Sequence, residues 1–155
     1  MRTNTWSNYV QSHLVPAQYF RDPLQLDSYL EHSNFLADIN NERVLKNKTY
    51  KENLSRLERF VMYLFEDDTT VVPKESGWFA ERNGTEVIEL KDRDIYREDW
   101  IGLKELDKKG ALRFETTRGQ HMQLSDKLLR NVAEKYFGPY GRKFDNEKGE
   151  VVQEL

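Results

Sequence analysis

The sequence predicts an α/β fold in which helices flank a parallel sheet, and three observations lead to this prediction. Residues 60–65 (FVMYLF) are all apolar, as in a strand buried on both faces in the middle of such a sheet. Apolar and charged residues alternate over residues 112–115, which is typical of a strand with one wet face near a sheet edge. A helical segment lies between the two strands, and parallel strands need a crossover of this kind.

Two helices are predicted before residue 40. Trp6, Val10 and Leu14 recur at every fourth position, so residues 5–14 are expected to form an amphipathic helix with these side chains on its apolar face. The second helix is expected to begin at Asp22, because a carboxylate caps a helix well and the proline that follows is favoured in the first turn.

The remaining helices are predicted from their ends. Residues 49–52 (TYKE) match a capping box, so the third helix is expected to begin at the threonine of this segment. Residues 99–109 are predicted as one helix that ends at Gly110. Ser125 is expected to cap the last helix, whose apolar stripe runs over residues 128–136.

An acidic residue and a histidine follow the two predicted strands, at the edge where open α/β sheets carry their functional sites. Asp68 comes just after the first strand, and His121 follows the second strand beyond a glycine. A histidine that acts as a general base needs its other ring nitrogen held by an acceptor, and a carboxylate is the best one. On spacing alone the ordinary alternative stays open, in which both are simply turn or loop residues.

Composition excludes several other functions. The net charge of −3 gives no basic excess for nucleic-acid binding, and no stretch approaches the ~18 apolar residues of a membrane span. The absence of cysteine rules out disulfides and thiolate catalysis. The three histidines are too scattered for a metal site, so we expect neither a metal nor a cofactor. Residues 1–6 have no apolar core, so no secretory signal is expected in this chain.

Several segments resemble palmitoyl-protein thioesterases, in the same order along the chain. Residues 65–73 (FEDDTTVVP), with Trp78 and Phe79 after them, are similar to the family's acid segment, and residues 119–125 (GQHMQLS) to its histidine segment. Three more segments are similar at the expected places: residues 17–23 (AQYFRDP), 35–40 (FLADIN) and 100–107 (WIGLKELD). The resemblance runs from about Tyr9 to about Phe137, and several motifs in one order are far more specific than one motif.

The resemblance implies the C-terminal part of an α/β-hydrolase fold. Residues 1–140 would form the C-terminal portion of the hydrolase domain, with part of the acyl-pocket insertion, and residues 141–155 a polar, flexible tail. It implies that Asp68 is the acid of a catalytic triad and His121 its general base. Family members often have asparagine before this acid, where the present chain has Asp67, and of the two adjacent carboxylates we favour Asp68.

The resemblance also implies an activity and a location. The activity is hydrolysis of S-palmitoyl thioesters on lipidated proteins, in the lysosome or the secretory pathway, without a cofactor or metal. Phe20 and Val71 fall where the family lines its acyl groove, although both could equally be core residues. The sequons at Asn47, Asn53 and Asn83 agree with a lumenal glycoprotein, although sequons also occur by chance.

The nucleophile is the departure from the family pattern. No Gly-x-Ser-x-Gly occurs in these 155 residues, and in the family this motif precedes the region that matches. Ser125 is interpreted as a helix cap and Ser76 as a turn residue, so neither is expected to be activated. Two hypotheses therefore stay open. The chain is the back half of a thioesterase, with the missing N-terminal half as its partner, or it is an inactive truncated form that acts, if at all, by binding.

Overall fold

The computed structural model describes residues 4–138 of the chain. The α-helices in this range are α1 (Asn8–His13), α2 (Val15–Gln18), α3 (Leu26–His32), α4 (Leu36–Ile39), α5 (Lys48–Ser55), α6 (Leu103–Lys108) and α7 (Asp126–Tyr136). The strands are β1 (Phe60–Phe65), β2 (Glu81–Asn83), β3 (Glu86–Ile88) and β4 (Leu112–Thr117). Short 3₁₀ segments occupy Pro23–Gln25, Lys74–Trp78 and Leu90–Asp92, and a π turn occupies Ile95–Asp99.

The two predicted strands pair in parallel. β1 and β4 are in register from Phe60 opposite Leu112 to Phe65 opposite Thr117. The segment between them contains the antiparallel hairpin of β2 and β3 and then α6, so the crossover is partly helical as predicted. The α/β class is therefore confirmed, and the carboxyl ends of β1 and β4 meet at one edge of the sheet.

Apolar side chains are buried in two separate clusters. The larger cluster lies between the sheet and the crossover and consists of Met62, Leu90, Ile95, Ile101, Leu103, Leu106, Ala111 and Leu112. The smaller cluster holds the N-terminal helices together through Trp6, Tyr29 and Ala37. Because the larger cluster includes residues of both β1 and β4, it fixes the strand ends that carry Asp68 and His121.

Gly102 is required where α5 meets the start of α6. Its φ is +93°, and an added Cβ would lie 2.9 Å from the Lys51 carbonyl oxygen and 3.1 Å from the Ser55 Cβ. We expect Gly102→Ala to lower the free energy of unfolding by about 2 kcal/mol, because a left-handed backbone and a steric clash both oppose the side chain. Urea unfolding measures this loss. Gly77→Ala is the matched control, since nothing lies within 4 Å of the Cβ it would add, and equal losses in the two variants would contradict the prediction.

Two of the predicted helix caps are confirmed and one is wrong. The Asp22 carboxylate accepts a hydrogen bond from the Leu24 N–H at 3.0 Å and caps the 3₁₀ segment Pro23–Gln25 that leads into α3. The Ser125 hydroxyl accepts a hydrogen bond from the Leu128 N–H at 3.1 Å and caps α7. The third helix, however, is capped by Asn47, which accepts from the Thr49 N–H at 3.0 Å. Thr49 already lies in the first turn, where its hydroxyl cannot serve as the cap, so the capping box is wrong.

The apolar face predicted for the first helix is partly wrong. Ser7 caps α1, which spans only six residues, and Leu14 is 52% exposed. Gln11 is fully buried instead, and its amide group donates to the carbonyl oxygens of Thr5 and Ala17. A polar side chain can take an inward position when such bonds satisfy it. Spacing therefore identified the helix and the buried Trp6, but not the buried Gln11.

The segment predicted as one helix over residues 99–109 consists of two pieces. Asp99 has a φ of +57° and Gly102 a φ of +93°, so the chain turns between the π turn and α6. The buried Asp99 carboxylate accepts a hydrogen bond from the Lys104 N–H at 2.9 Å and pairs with Lys51 at 2.9 Å. The helix is therefore interrupted before α6, and the Asp99 side chain caps α6 from five residues before the bonded N–H. The predicted end at Gly110 is confirmed.

The alternation predicted for β4 holds at Leu112, which is buried, but not at the next two apolar and charged positions. Glu115 is buried, whereas Phe114 is 37% exposed. Lys135 and the Tyr136 hydroxyl, both on α7, contact the Glu115 carboxylate at 2.9 and 3.0 Å. Glu115, predicted to be exposed, is therefore covered by α7. The predicted tail, residues 141–155, lies outside the described residues.

Candidate active site

Asp68 and His121 meet beyond the carboxyl ends of β1 and β4. The His121 Nδ1 lies 2.8 Å from the Asp68 Oδ2. The two residues are 53 positions apart, and parallel pairing of the strands that precede them brings them together. A carboxylate only accepts hydrogen bonds, so at this contact the Nδ1–H donates.

The Asp68 carboxylate is held on both oxygens. Its Oδ1 accepts hydrogen bonds from the backbone N–H of Thr70 at 2.8 Å and of Val71 at 3.0 Å. Its side chain is only 8% exposed. The turn after β1 therefore orients one oxygen by the backbone and leaves the other, Oδ2, for the imidazole.

The surroundings of Asp68 favour its ionised form. Burial acts to raise the pKa of the carboxyl group, but the hydrogen bond from His121 and those from the N–H groups of Val71 and Thr70 outweigh it and lower the pKa below 3.8. Ionised Asp68 therefore contributes stability above the ordinary carboxyl pKa. That contribution is lost only as the pH falls through the lower pKa of the folded state.

We expect His121→Ala to raise the pKa of the Asp68 carboxyl group toward its ordinary value. The substitution removes the hydrogen bond and the nearby positive charge that lower this pKa, while the two backbone hydrogen bonds remain. Carboxyl ¹³C shifts followed from pH 7 to pH 2 measure both values. His13→Ala is the control, because His13 is an exposed residue of α1 whose Nδ1 contacts the Tyr9 carbonyl oxygen. An unchanged Asp68 midpoint in His121→Ala would contradict the geometry.

His121 is oriented to accept a proton at its other nitrogen. With Nδ1–H donated to Asp68, the neutral ring has its lone pair on Nε2. The side chain is 42% exposed, and Nε2 has no hydrogen-bond partner within residues 4–138. The arrangement can therefore transfer protons to and from a group that approaches Nε2, with Asp68 stabilising the imidazolium.

Asp67 has different contacts from its neighbour. Its carboxylate Oδ2 accepts a hydrogen bond from the Gly119 N–H at 3.3 Å, and its own N–H donates to the Gly119 carbonyl oxygen at 3.1 Å. The carboxylate that faces the imidazole is thus the one favoured from the sequence. From the sequence, Asp67 was only the alternative candidate for the triad acid, and no pattern indicated its contact with Gly119.

Of the other candidate residues named from the sequence, Val71 is next to the Asp68–His121 pair and the rest contact other parts of the structure. Val71 is adjacent, since its N–H is bonded to Asp68. Phe20 packs against Trp6, with ring centroids 5.8 Å apart, in the N-terminal cluster. Ser125 caps α7, and Ser76 is exposed in a 3₁₀ segment. A groove-lining role for Phe20 and Val71 stays a prediction.

The three sequon asparagines are exposed. Asn47 precedes α5, Asn53 lies on α5, and Asn83 ends β2 before a turn at Gly84. Each could therefore carry a glycan without displacing the core, and whether any does stays a prediction.

Within residues 4–138, no group of three or more His, Asp or Glu side chains is arranged to hold a metal ion. No helix in the same range is long and apolar enough to cross a membrane.

A buried ion network was not predicted from the sequence. Glu42 accepts hydrogen bonds from Arg21 at 2.9 Å and from the Tyr29 hydroxyl at 2.7 Å, and burial raises the pKa of this tyrosine. Arg21 also pairs with Glu81, which Arg93 contacts at 3.1 Å. The network joins the N-terminal helices to the hairpin of β2 and β3. Its members are up to 60 residues apart in the sequence, so no local sequence pattern predicts the network.

A parallel sheet that carries an aspartate and a histidine in contact beyond adjacent strands is the arrangement expected in the C-terminal part of an α/β-hydrolase. Comparison with known proteins identifies the family within this class. The family model described as palmitoyl protein thioesterase matches residues 1–121, and the chain belongs to this family.

Named relatives agree with this assignment. The chain is 44% identical over 138 residues to palmitoyl-protein thioesterase 3 of Dictyostelium discoideum, a match that covers 87% of this chain and 47% of the relative. It is 41% identical over 133 residues to palmitoyl-protein thioesterase 1 of Caenorhabditis elegans, covering 83% and 44%. It is 38% identical over 103 residues to lysosomal thioesterase PPT2-B of Xenopus laevis, covering 65% and 36%. The chain spans less than half the length of these curated relatives.

Proposed function

We propose that this chain supplies the acid and the general base of a thioesterase that removes S-palmitoyl groups from lipidated proteins. The observation that carries the proposal is the 2.8 Å contact between His121 Nδ1 and Asp68 Oδ2, in a chain of the palmitoyl-protein thioesterase family. The carboxylate is buried and the free ring nitrogen faces outward, as general-base catalysis requires.

The proposed reaction proceeds through an acyl-enzyme. His121 Nε2 takes the proton of a serine hydroxyl as the serine oxygen attacks the thioester carbonyl carbon. The C–S bond then breaks, and the sulfur of the leaving cysteine takes the proton from the imidazolium. His121 next takes a proton from water, whose oxygen attacks the acyl-enzyme, and returns it to the serine as the fatty acid leaves. Asp68 stabilises the imidazolium in both halves and keeps the ring in the required tautomer.

We place the nucleophilic serine outside the 155 residues, on a front half that completes the sheet. The N–H groups of Phe60 and Glu66 bond to carbonyl oxygens of the β4 segment, so alternate residues of β1 face that partner. The backbone groups of Val61 and Tyr63 point the other way, toward an edge of β1 with which no strand of the described residues pairs. An unpaired edge of this kind accepts a further strand, which the front half would provide.

A chimera tests the proposal. The region of the Dictyostelium relative that precedes the match, joined to this chain, should hydrolyse an S-palmitoyl peptide, whereas the isolated chain should not. Substantial activity of the isolated chain would refute an external nucleophile. A folded but inactive chimera that still binds the peptide would instead favour the inactive binding module.

Location and acyl-chain binding extend the same proposal. A lysosomal or other lumenal location is supported by the relative named a lysosomal thioesterase and by the exposure of Asn47, Asn53 and Asn83. Val71, next to Asp68, would contact the acyl chain near the thioester, and Phe20 would contact it farther along.

A further inference from the structure

We infer that Asp67 is a positioning residue that holds His121 against Asp68. Two segments are defined for this purpose: the acid turn is residues 66–71, and the histidine loop is residues 118–125. The consequence for catalysis rests on the proposed function, but the structural claim concerns only the distance between the imidazole and the carboxylate.

Asp67 is bonded to the histidine loop in both directions. Its Oδ2 accepts from the Gly119 N–H at 3.3 Å, and its N–H donates to the Gly119 carbonyl oxygen at 3.1 Å. Among the described residues, the only other hydrogen bond between the acid turn and the histidine loop is that of Asp68 with His121. Asp67 therefore fixes the loop two residues before the histidine.

Burial does little to hold the histidine loop. The side chain of His121 is 42% exposed, and Met122 and Leu124 are 60% and 50% exposed. Met122 also has a φ of +56°, a left-handed backbone conformation that is unfavourable for a residue with a side chain. A loop that buries little apolar surface and contains a strained residue depends on its polar contacts for a single position.

The internal bonds of the loop shape its turn without attaching it to β1. The Gln120 N–H donates to the Gln123 side-chain oxygen at 3.0 Å, and the Gln123 N–H donates to the Gln120 carbonyl oxygen at 3.0 Å. Gly119 has a φ of +119°, and a Cβ there would lie 2.9 Å from the Gln123 Oε1. The loop is thus a compact unit, and the bonds to Asp67 decide where this unit lies relative to the acid turn.

The inference can be tested on the 155-residue chain itself by NMR. We expect a downfield Nδ1–H resonance of His121 and slow exchange of the Gly119 amide in the wild type. Both should weaken in Asp67→Ala and in Asp67→Ser, whose side chain is too short to reach Gly119. Asp67→Asn should retain both, since its amide oxygen can accept the same bond. Glu66→Ala is the matched control, because it removes the adjacent exposed carboxylate and leaves the Gly119 bonds in place.

Activity of the chimera adds a second readout. Asp67→Ala is expected to lower kcat by about 10- to 100-fold with little change in KM, because a misplaced base affects the reaction more than substrate binding. Asp67→Asn should recover most of this loss, whereas a purely structural role would lower activity and thermal stability together in both.

The outcomes separate this inference from the proposed function. A downfield resonance and Gly119 protection that persist unchanged in Asp67→Ala and Asp67→Ser would overturn the inference alone. Absence of the resonance in the folded wild type would show that His121 and Asp68 are not in contact, and it would overturn both proposals. An inactive chimera would count against the proposed function, while the NMR result would still decide the role of Asp67.

Discussion

Replacing His121 with alanine in the chimeric enzyme is expected to lower kcat by about 10⁴-fold or more, since members of a catalytic triad act as a unit. The imidazole accepts the serine proton, protonates the leaving thiolate and later activates water, so its removal affects every proton transfer. KM should change little, because the exposed ring contributes little apolar surface to substrate binding.

Steady-state hydrolysis of an S-palmitoyl peptide, with the acyl-enzyme followed by mass spectrometry, measures this loss. His13→Ala is again the control, since this exposed histidine of α1 contacts Tyr9 and not the candidate site. A loss of less than about tenfold for His121→Ala would mean that another group is the base, because general-base catalysis contributes at least ~10²-fold.

The position of this pair could be predicted from the sequence because two simple rules coincide. A run of six apolar residues can only be a short buried strand or helix segment, and the acidic residues after it mark its end. Parallel strands bring their carboxyl ends to the same edge, so residues that follow the two strands become neighbours. The caps at Asp22 and Ser125 could also be predicted from the sequence, since a capping residue and the N–H it accepts from lie within three residues.

Two of the errors concern polar side chains that are buried by contacts outside their own turn or strand. Gln11 is buried because two carbonyl oxygens accept its amide protons, and Glu115 is buried because Lys135 and Tyr136 cover it. A polar residue at an inward position looks like a surface residue when only its own neighbours in sequence are considered. The contact of Asp67 with Gly119 has no signal in the sequence for a related reason, since 52 residues separate the two.

The distribution of stabilising interactions follows the division between scaffold and site. Apolar burial holds the strands, with Leu103 and Leu106 fully buried beneath the sheet. Beyond the strand ends, hydrogen bonds of the backbone and of carboxylates hold the residues in place. Asp68, for example, is fixed by the N–H groups of Thr70 and Val71. An exposed base needs this arrangement, because it must be accessible to substrate and yet held in one orientation.

The two adjacent carboxylates give the second large prediction. Asp68→Asn in the chimera is expected to lower kcat by about 10⁴-fold, as loss of the triad acid does when the geometry is retained. The asparagine oxygen can still accept the N–H groups of Thr70 and Val71, and its NH₂ group then faces His121 Nδ1. The ring is forced to carry its proton on Nε2, so it cannot accept one from the serine.

Asp67→Asn should cost less than about tenfold in the same assay, because an amide oxygen can still accept the Gly119 N–H and the imidazole contact is untouched. Each variant removes one negative charge from neighbouring positions, so a general electrostatic effect would lower both rates similarly. Comparing kcat over pH 4 to 8 separates the cases, since a wrong tautomer lowers the rate at every pH. If Asp67→Asn were the more damaging substitution, Asp67 would be the acid and the contact between Asp68 and His121 would not be the one used in catalysis.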